Sequence, residues 1–148
     1  MDKSNEVKQI IKFVNDNYPF VEVDEDSVLH YMEHNNLDVH AMKNILKCAD
    51  KFLFLKDEAY VKQKKYVLLK ADFVKSSFLE REKKDLILFF YIDYEVVKKY
   101  FFDKNFASPG DEHRVRRKLD AMRDYFITCV LEHTYDNVFA VDVVFEFD

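Results

Sequence analysis

Three groups of residues in this chain have types and spacings suited to chemistry. His30-Tyr31-Met32-Glu33-His34 reads H-x-x-E-H. On a helix that spacing puts both imidazoles on one face, one turn apart, as a zinc site requires. Asp72 and, further on, Glu82-Lys83-Lys84 offer two carboxylates for Mg²⁺ and a lysine to assist an attacking water. His40, Lys43, Asn44 and Lys47, with Lys51 just beyond, share one side of an expected helix. There the lysines would meet phosphates and Asn44 an adenine edge. Each pattern also has a plainer reading. If Val28, Leu29 and Met32 turn inward, the histidines face solvent. Glu82 and Lys84 lie in the run Glu80-Arg81-Glu82-Lys83-Lys84-Asp85, which reads as a solvated connector before a strand. Lys and Asn on an exposed helix serve solubility.

Two basic stretches extend this inventory. Residues 62–84 hold Lys62, Lys64, Lys65, Lys70, Lys75, Arg81, Lys83 and Lys84 against Asp72, Glu80 and Glu82. A second cluster comprises Arg114, Arg116, Arg117, Lys118 and Arg123. Either could follow phosphates. The whole chain nevertheless carries −5, and the deficit is shared. In residues 1–64, nine lysines against twelve carboxylates leave −3; the remainder leaves −2. A strongly basic footprint is therefore absent overall.

The 148 residues include one glycine (Gly110) and two prolines (Pro19, Pro109). Phosphate-cradling loops, dinucleotide fingerprints and the G-x-S-x-G elbow need glycines for tight or positive-φ turns. None can be built here, which removes P-loop ATPases, Rossmann dehydrogenases and α/β-hydrolases. The same bias, with 15 Phe and 9 Tyr, is what an AT-rich genome such as a virus produces. Cys48 and Cys129 form no C-x-x-C and sit in apolar segments, so buried free thiols in a reducing compartment are expected. The start, Met1-Asp2-Lys3-Ser4-Asn5-Glu6, does not read as a signal peptide. The longest apolar run, Leu86 to Ile92, is too short to span a bilayer. An intracellular protein with no membrane partner is expected.

The elements that must position these residues follow from periodicity. Val7, Ile10, Ile11, Val14 and Tyr18 predict a helix capped by Ser4 and ended at Pro19. Phe20–Val23 is short and extended. Asp24 opens a second helix to about Asn35, and Asp38 caps a third with Val39, Met42, Ile45, Leu46 and Ala49 inward. Phe52–Leu55 and Ala59–Lys62 flank a polar turn and read as a hairpin. Strands are expected over Tyr66–Val74 and Leu86–Ile92, and a helix over Asp93–Asn105. Ser108 and Pro109 suit the start of a long helix, about Glu112–Thr134, whose stripe Val115, Leu119, Met122, Phe126, Cys129 and His133 repeats every three or four residues. That stripe packs on the chain's own sheet or serves as a seam for a partner helix. Val138–Phe147 alternates as a strand should.

The order helix, short strand, helix, helix, hairpin over residues 4–64 resembles a winged-helix domain. The resemblance implies that the third helix is a recognition face and that Lys62, Lys64 and Lys65 belong to the wing. H-x-x-E-H is also the spacing of inverzincins, which need a third, distant ligand. The Asp72, Glu82, Lys84 set resembles that of metal-dependent nucleases. The expected architecture is α+β: a winged-helix-like module, 1–64, packed on a ββααβ module, 65–148. The expected function is a non-catalytic protein-interaction, assembly or regulatory factor that self-associates or binds a protein. A winged-helix nucleic-acid-binding regulator is the alternative, and a metal-dependent nuclease a remote one. No catalytic residue, metal or cofactor is expected.

Overall fold

The computed structural model describes residues 3–19, 21–52, 55, 57, 67–75, 84–133 and 141–146. Among them are five α-helices and one four-stranded mixed sheet, an α+β architecture. Helix α1 (Ser4–Asn17) buries Val7, Ile10 and Val14, the 3–4 stripe read from the sequence. Its start differs from expectation. Ser4 is the first helical residue, Lys3 holds the cap position, and no side chain caps the helix. Lys3 Nζ instead reaches Glu6 and the Leu37 carbonyl oxygen.

Strand β1 (Val21–Val23) leads into α2 (Glu25–His34), where Asp24 accepts a bond from the Ser27 N–H. This satisfies one of the orphan donors of the first turn. Asn36, at φ 52, follows the C-terminal end of α2. Asp38 caps α3 (Val39–Lys47) in the same way, through the Ala41 N–H. A 3-10 turn, Cys48–Lys51, follows. Phe52 and Leu55 were expected in the first strand of a hairpin. They are instead joined by an i→i+3 bond from the Leu55 N–H to the Phe52 carbonyl, and both are fully buried. Two large apolar groups three residues apart enter one core more readily on a helical turn than on a strand, where they would face opposite sides. The expected second strand, Ala59–Lys62, lies outside the described residues.

Strand β2 (Val67–Lys75) is parallel to β1 and antiparallel to β3 (Lys84–Asp93), and β3 is parallel to β4 (Val141–Glu146). Lys84 and Asp85 begin β3 rather than ending a connector, because the ladder continues to Lys75 opposite Lys84. Helix α4 (Tyr94–Asp103), capped by Asp93 on the Glu95 N–H, and α5 (Glu112–His133) complete the ββααβ order. Ser108 does not cap α5. Ser108-Pro109-Gly110-Asp111 closes as a turn, with the Asp111 N–H donating to the Ser108 carbonyl and Gly110 at φ 93. A positive φ at the third position is what glycine permits at little cost. Asp111 then takes the capping role, accepting from the Arg114 N–H.

One contiguous core joins residues from Val7 to Val143. Its sheet side follows the register, with Leu69 opposite Phe90 and Phe90 opposite Val143. The α5 stripe Val115, Leu119, Phe126 and Val130 is buried there, so it serves the chain's own core. Phe126 stacks within 5.2 Å of Phe52 and 5.3 Å of Phe90, centroid to centroid. Among the described residues no helix is long and apolar enough to cross a membrane.

Candidate interaction surface

The outward face of α3 carries the residues expected there. With Met42, Ile45 and Leu46 buried, His40, Lys43, Asn44 and Lys47 share the opposite side, and Lys51 is exposed at the end of the 3-10 turn. Three of the four already touch other side chains of the protein. Lys43 Nζ sits 5.7 Å from the Phe13 ring centroid, and Asn44 Nδ2 lies 3.3 Å from His40 Nε2. Lys62, Lys64 and Lys65 lie outside the described residues.

The second basic cluster does not form one patch. At about 100° per residue, Arg116 and Lys118 point about 160° apart around α5. Arg116 and Arg123 flank β4 and line an open cleft of about 440 Å³ with Asp120, Asp142 and Phe145. Arg123 is committed there. Its Nε and Nη2 donate to the two Asp142 carboxylate oxygens at 2.8 and 2.9 Å. This bidentate hydrogen bonding raises the guanidinium above its ordinary value, against the opposing effect of desolvation. On the other side, Arg114 and Lys118 are one turn apart and Arg117 is adjacent; Arg114 and Arg117 are exposed. Lys118 Nζ stands 5.7 Å from the Phe106 ring centroid.

Phe106 and Tyr125 are the large exposed apolar side chains among the described residues, at 39% and 68% exposure. Tyr125 lies seven residues, two turns, beyond Lys118 on nearly the same line of α5. Small, exposed Ala121 sits between them. The resulting strip is Arg114, Lys118, Ala121, Tyr125, with Phe106 beneath its first half. Neither aromatic was singled out in the sequence. Tyr125 adjoins Phe126 and so sits about 100° off the buried stripe, which is the signal that would have marked it.

Helix α5 is braced from behind. Cys48 and Cys129 form a disulfide, tying the 3-10 turn to α5 across a sequence separation of 81. This corrects the free-thiol expectation. Folding brings the two Cα atoms to 5.7 Å, inside the range a disulfide needs, and no spacing in the sequence reveals that. The free-thiol argument for a reducing compartment falls with it. Tyr18 braces the α3 side. Its hydroxyl donates to Asp50 Oδ1 at 2.6 Å and approaches the Leu46 carbonyl oxygen at 3.2 Å. Burial, then the Asp50 hydrogen bond and charge, raise this phenol well above its ordinary value.

The metal patterns resolve differently. His30 and His34 are exposed on α2, ring centroids 6.3 Å apart, while Tyr31 and Met32 between them are buried. Among the described residues no group of three or more His, Cys, Asp or Glu side chains is placed to hold a metal ion. Asp72 stands opposite Ile87, three residues along β3 from Lys84, and Glu82 lies outside the described residues. Comparison with family models, curated proteins and solved structures finds no match.

Proposed function

We propose that this chain is a non-catalytic interaction module that binds a protein partner through the outward strip of α5. The observation that carries this reading is Tyr125, 68% exposed on a helix whose apolar stripe is locked into the core. A large ring left in water, with exposed Arg117 and Arg114 two to three turns away on the same side of the helix, has the composition of an interface anchor; Tyr and Arg are enriched at such sites. The disulfide and the Phe126 stack fix α5 before any partner arrives, which lowers the ordering cost of binding. A photo-crosslinking residue at position 125 tests it. Protein adducts are expected from position 125 and not from exposed Lys12 on α1. No adduct at position 125 overturns the reading.

A second reading rests on α3, whose outward face gathers His40, Lys43, Asn44 and Lys47. On the winged-helix resemblance this face would bind nucleic acid. Binding to single- and double-stranded DNA and RNA at two salt concentrations tests it, since phosphate contacts weaken steeply with salt. Lys43→Glu with Lys47→Glu should abolish that binding while leaving the fold intact.

A further inference from the structure

Hydrogen bonding fixes which way each strand of the sheet turns its main chain. The Asp24 N–H donates to the Leu69 carbonyl oxygen, so Leu69 directs its main-chain groups toward β1. Phe90 stands opposite Leu69 in the antiparallel pair β2–β3 and therefore directs its own toward β4. On β4, Asp142 and Val144 flank Val143, the partner of Phe90, and complete that ladder. The N–H and C=O groups of Val141, Val143 and Phe145 face the other way, to an edge that no strand pairs among the described residues. They recur about 6.6 Å apart. The outward Val143 N–H is already taken, donating to Asp142 Oδ1 at 2.7 Å. That carboxylate is clasped in turn by Arg123. Among the described residues, the open cleft of about 440 Å³ is lined from α5 and β4 and not from β3, which places it beside this edge. Leu119, Val143, Val144 and Phe145 supply its apolar lining.

We propose that this edge is a second binding site, separate from the α5 strip, at which an extended peptide segment of a partner protein adds as a fifth strand. A row of outward amide and carbonyl groups at two-residue spacing is matched along its length by another extended main chain, whereas a compact ligand meets one or two of them. The apolar lining selects a segment with apolar side chains at alternate positions, since every second side chain of an added strand turns to the same side. Asp142 is the latch. While its carboxylate holds the Val143 N–H, it occupies the place of the incoming carbonyl oxygen. The segment displaces it from Val143, and Arg123 keeps the released carboxylate paired, so no charge is stranded.

Displayed random peptides of about ten residues, long enough to run along β4, selected on the full disulfide-bonded chain, test this. Selection should return sequences with apolar residues at alternate positions. With a selected synthetic peptide bound, amide hydrogen exchange of the wild type should show new protection at Val141, Val143 and Phe145. Asp142 and Val144, already bonded to β3, should change little. Methylating the amides of alternate peptide residues should abolish binding, and methylating those between them should not. Asp142→Ala should bind the same peptide about tenfold tighter or more, because a charge-assisted hydrogen bond no longer has to be broken first. Tyr125→Ala should bind it as the wild type does. If circular dichroism shows that Asp142→Ala does not fold, the exchange pattern of the wild type decides alone. A selection that yields no binder, protection that does not alternate along β4, or protection around Tyr125 instead overturns the inference and leaves Asp142 as a guard of the edge alone.

Discussion

The outward faces of α3 and α5 carry similar side chains and differ in what those side chains already touch. On α3, Lys43 lies over Phe13 and Asn44 meets His40, so the polar groups are partly spent within the fold. On α5, Lys118 lies over Phe106 in the same way, but Arg114 and Arg117 form no ion pair among the described residues and Tyr125 stands in water. The inner faces differ too. The nine-residue α3 buries aliphatic side chains, whereas α5 is anchored by an aromatic cluster and a disulfide. A basic helix face becomes a candidate surface when its groups lack internal partners and its backbone is held from behind.

The harshest way to break this contrast is to remove the anchor. Phe126 is fully buried between Phe52 and Phe90, so Phe126→Ala should cost about 3–5 kcal/mol of stability. A shift in urea midpoint with unchanged slope would measure it. A loss below about 1 kcal/mol would show that α5 is not held as described. The next largest effect concerns the disulfide. Cys48→Ser with Cys129→Ser frees a loop closed across 81 residues and should cost about 2–4 kcal/mol. The same loss should appear in the wild type on reduction and be absent in the double variant. A variant as stable as the oxidised wild type would remove the brace from the comparison.

The inner faces were legible in the sequence because periodicity encodes them. The α1 stripe, the Asp24 and Asp38 caps and the ββααβ order all rest on local rules, and the structure contains them. What was missed depends on distance along the chain or on small turns. The Cys48–Cys129 bond joins segments that only folding brings together. The pairing of β1 with β2 crosses more than forty residues and no local pattern announces it. Ser108 looked like a cap because Pro109 follows, but Pro-Gly preferred the turn and passed the cap to Asp111. The candidate strip was half legible. Its cations were named, while Tyr125 was hidden by its neighbour Phe126, which the core claims.

The tyrosines sharpen the contrast on the α3 side at smaller cost. Tyr18→Phe loses the bond to Asp50 and should cost about 1 kcal/mol near neutral pH. Tyr31 is fully buried, and its hydroxyl has no hydrogen-bond partner among the described residues. Tyr31→Phe should therefore be neutral or stabilise by up to about 1 kcal/mol. Opposite signs from one chemical change would show that Tyr18, unlike Tyr31, is a tie. Both phenols are raised by burial, Tyr18 further by Asp50. Above pH about 10 the unfolded chain releases these protons and the folded chain keeps them, so stability falls as pH rises. Urea midpoints through that range should decline less steeply in Tyr18→Phe. An unchanged slope would remove Tyr18 from the account.

The smallest expected effect bears most directly on the comparison. Lys47→Glu and Tyr125→Ala both alter exposed positions, so each should change stability by no more than about 0.5 kcal/mol. Their effects on binding should diverge. Tyr125→Ala should weaken association through α5, and Lys47→Glu should leave it unchanged. Equal losses from both would mean that α3 and α5 form one surface, and the distinction drawn from their internal contacts would fall. A loss from Lys47→Glu alone would move the functional face to α3, despite the groups it already spends on Phe13 and His40.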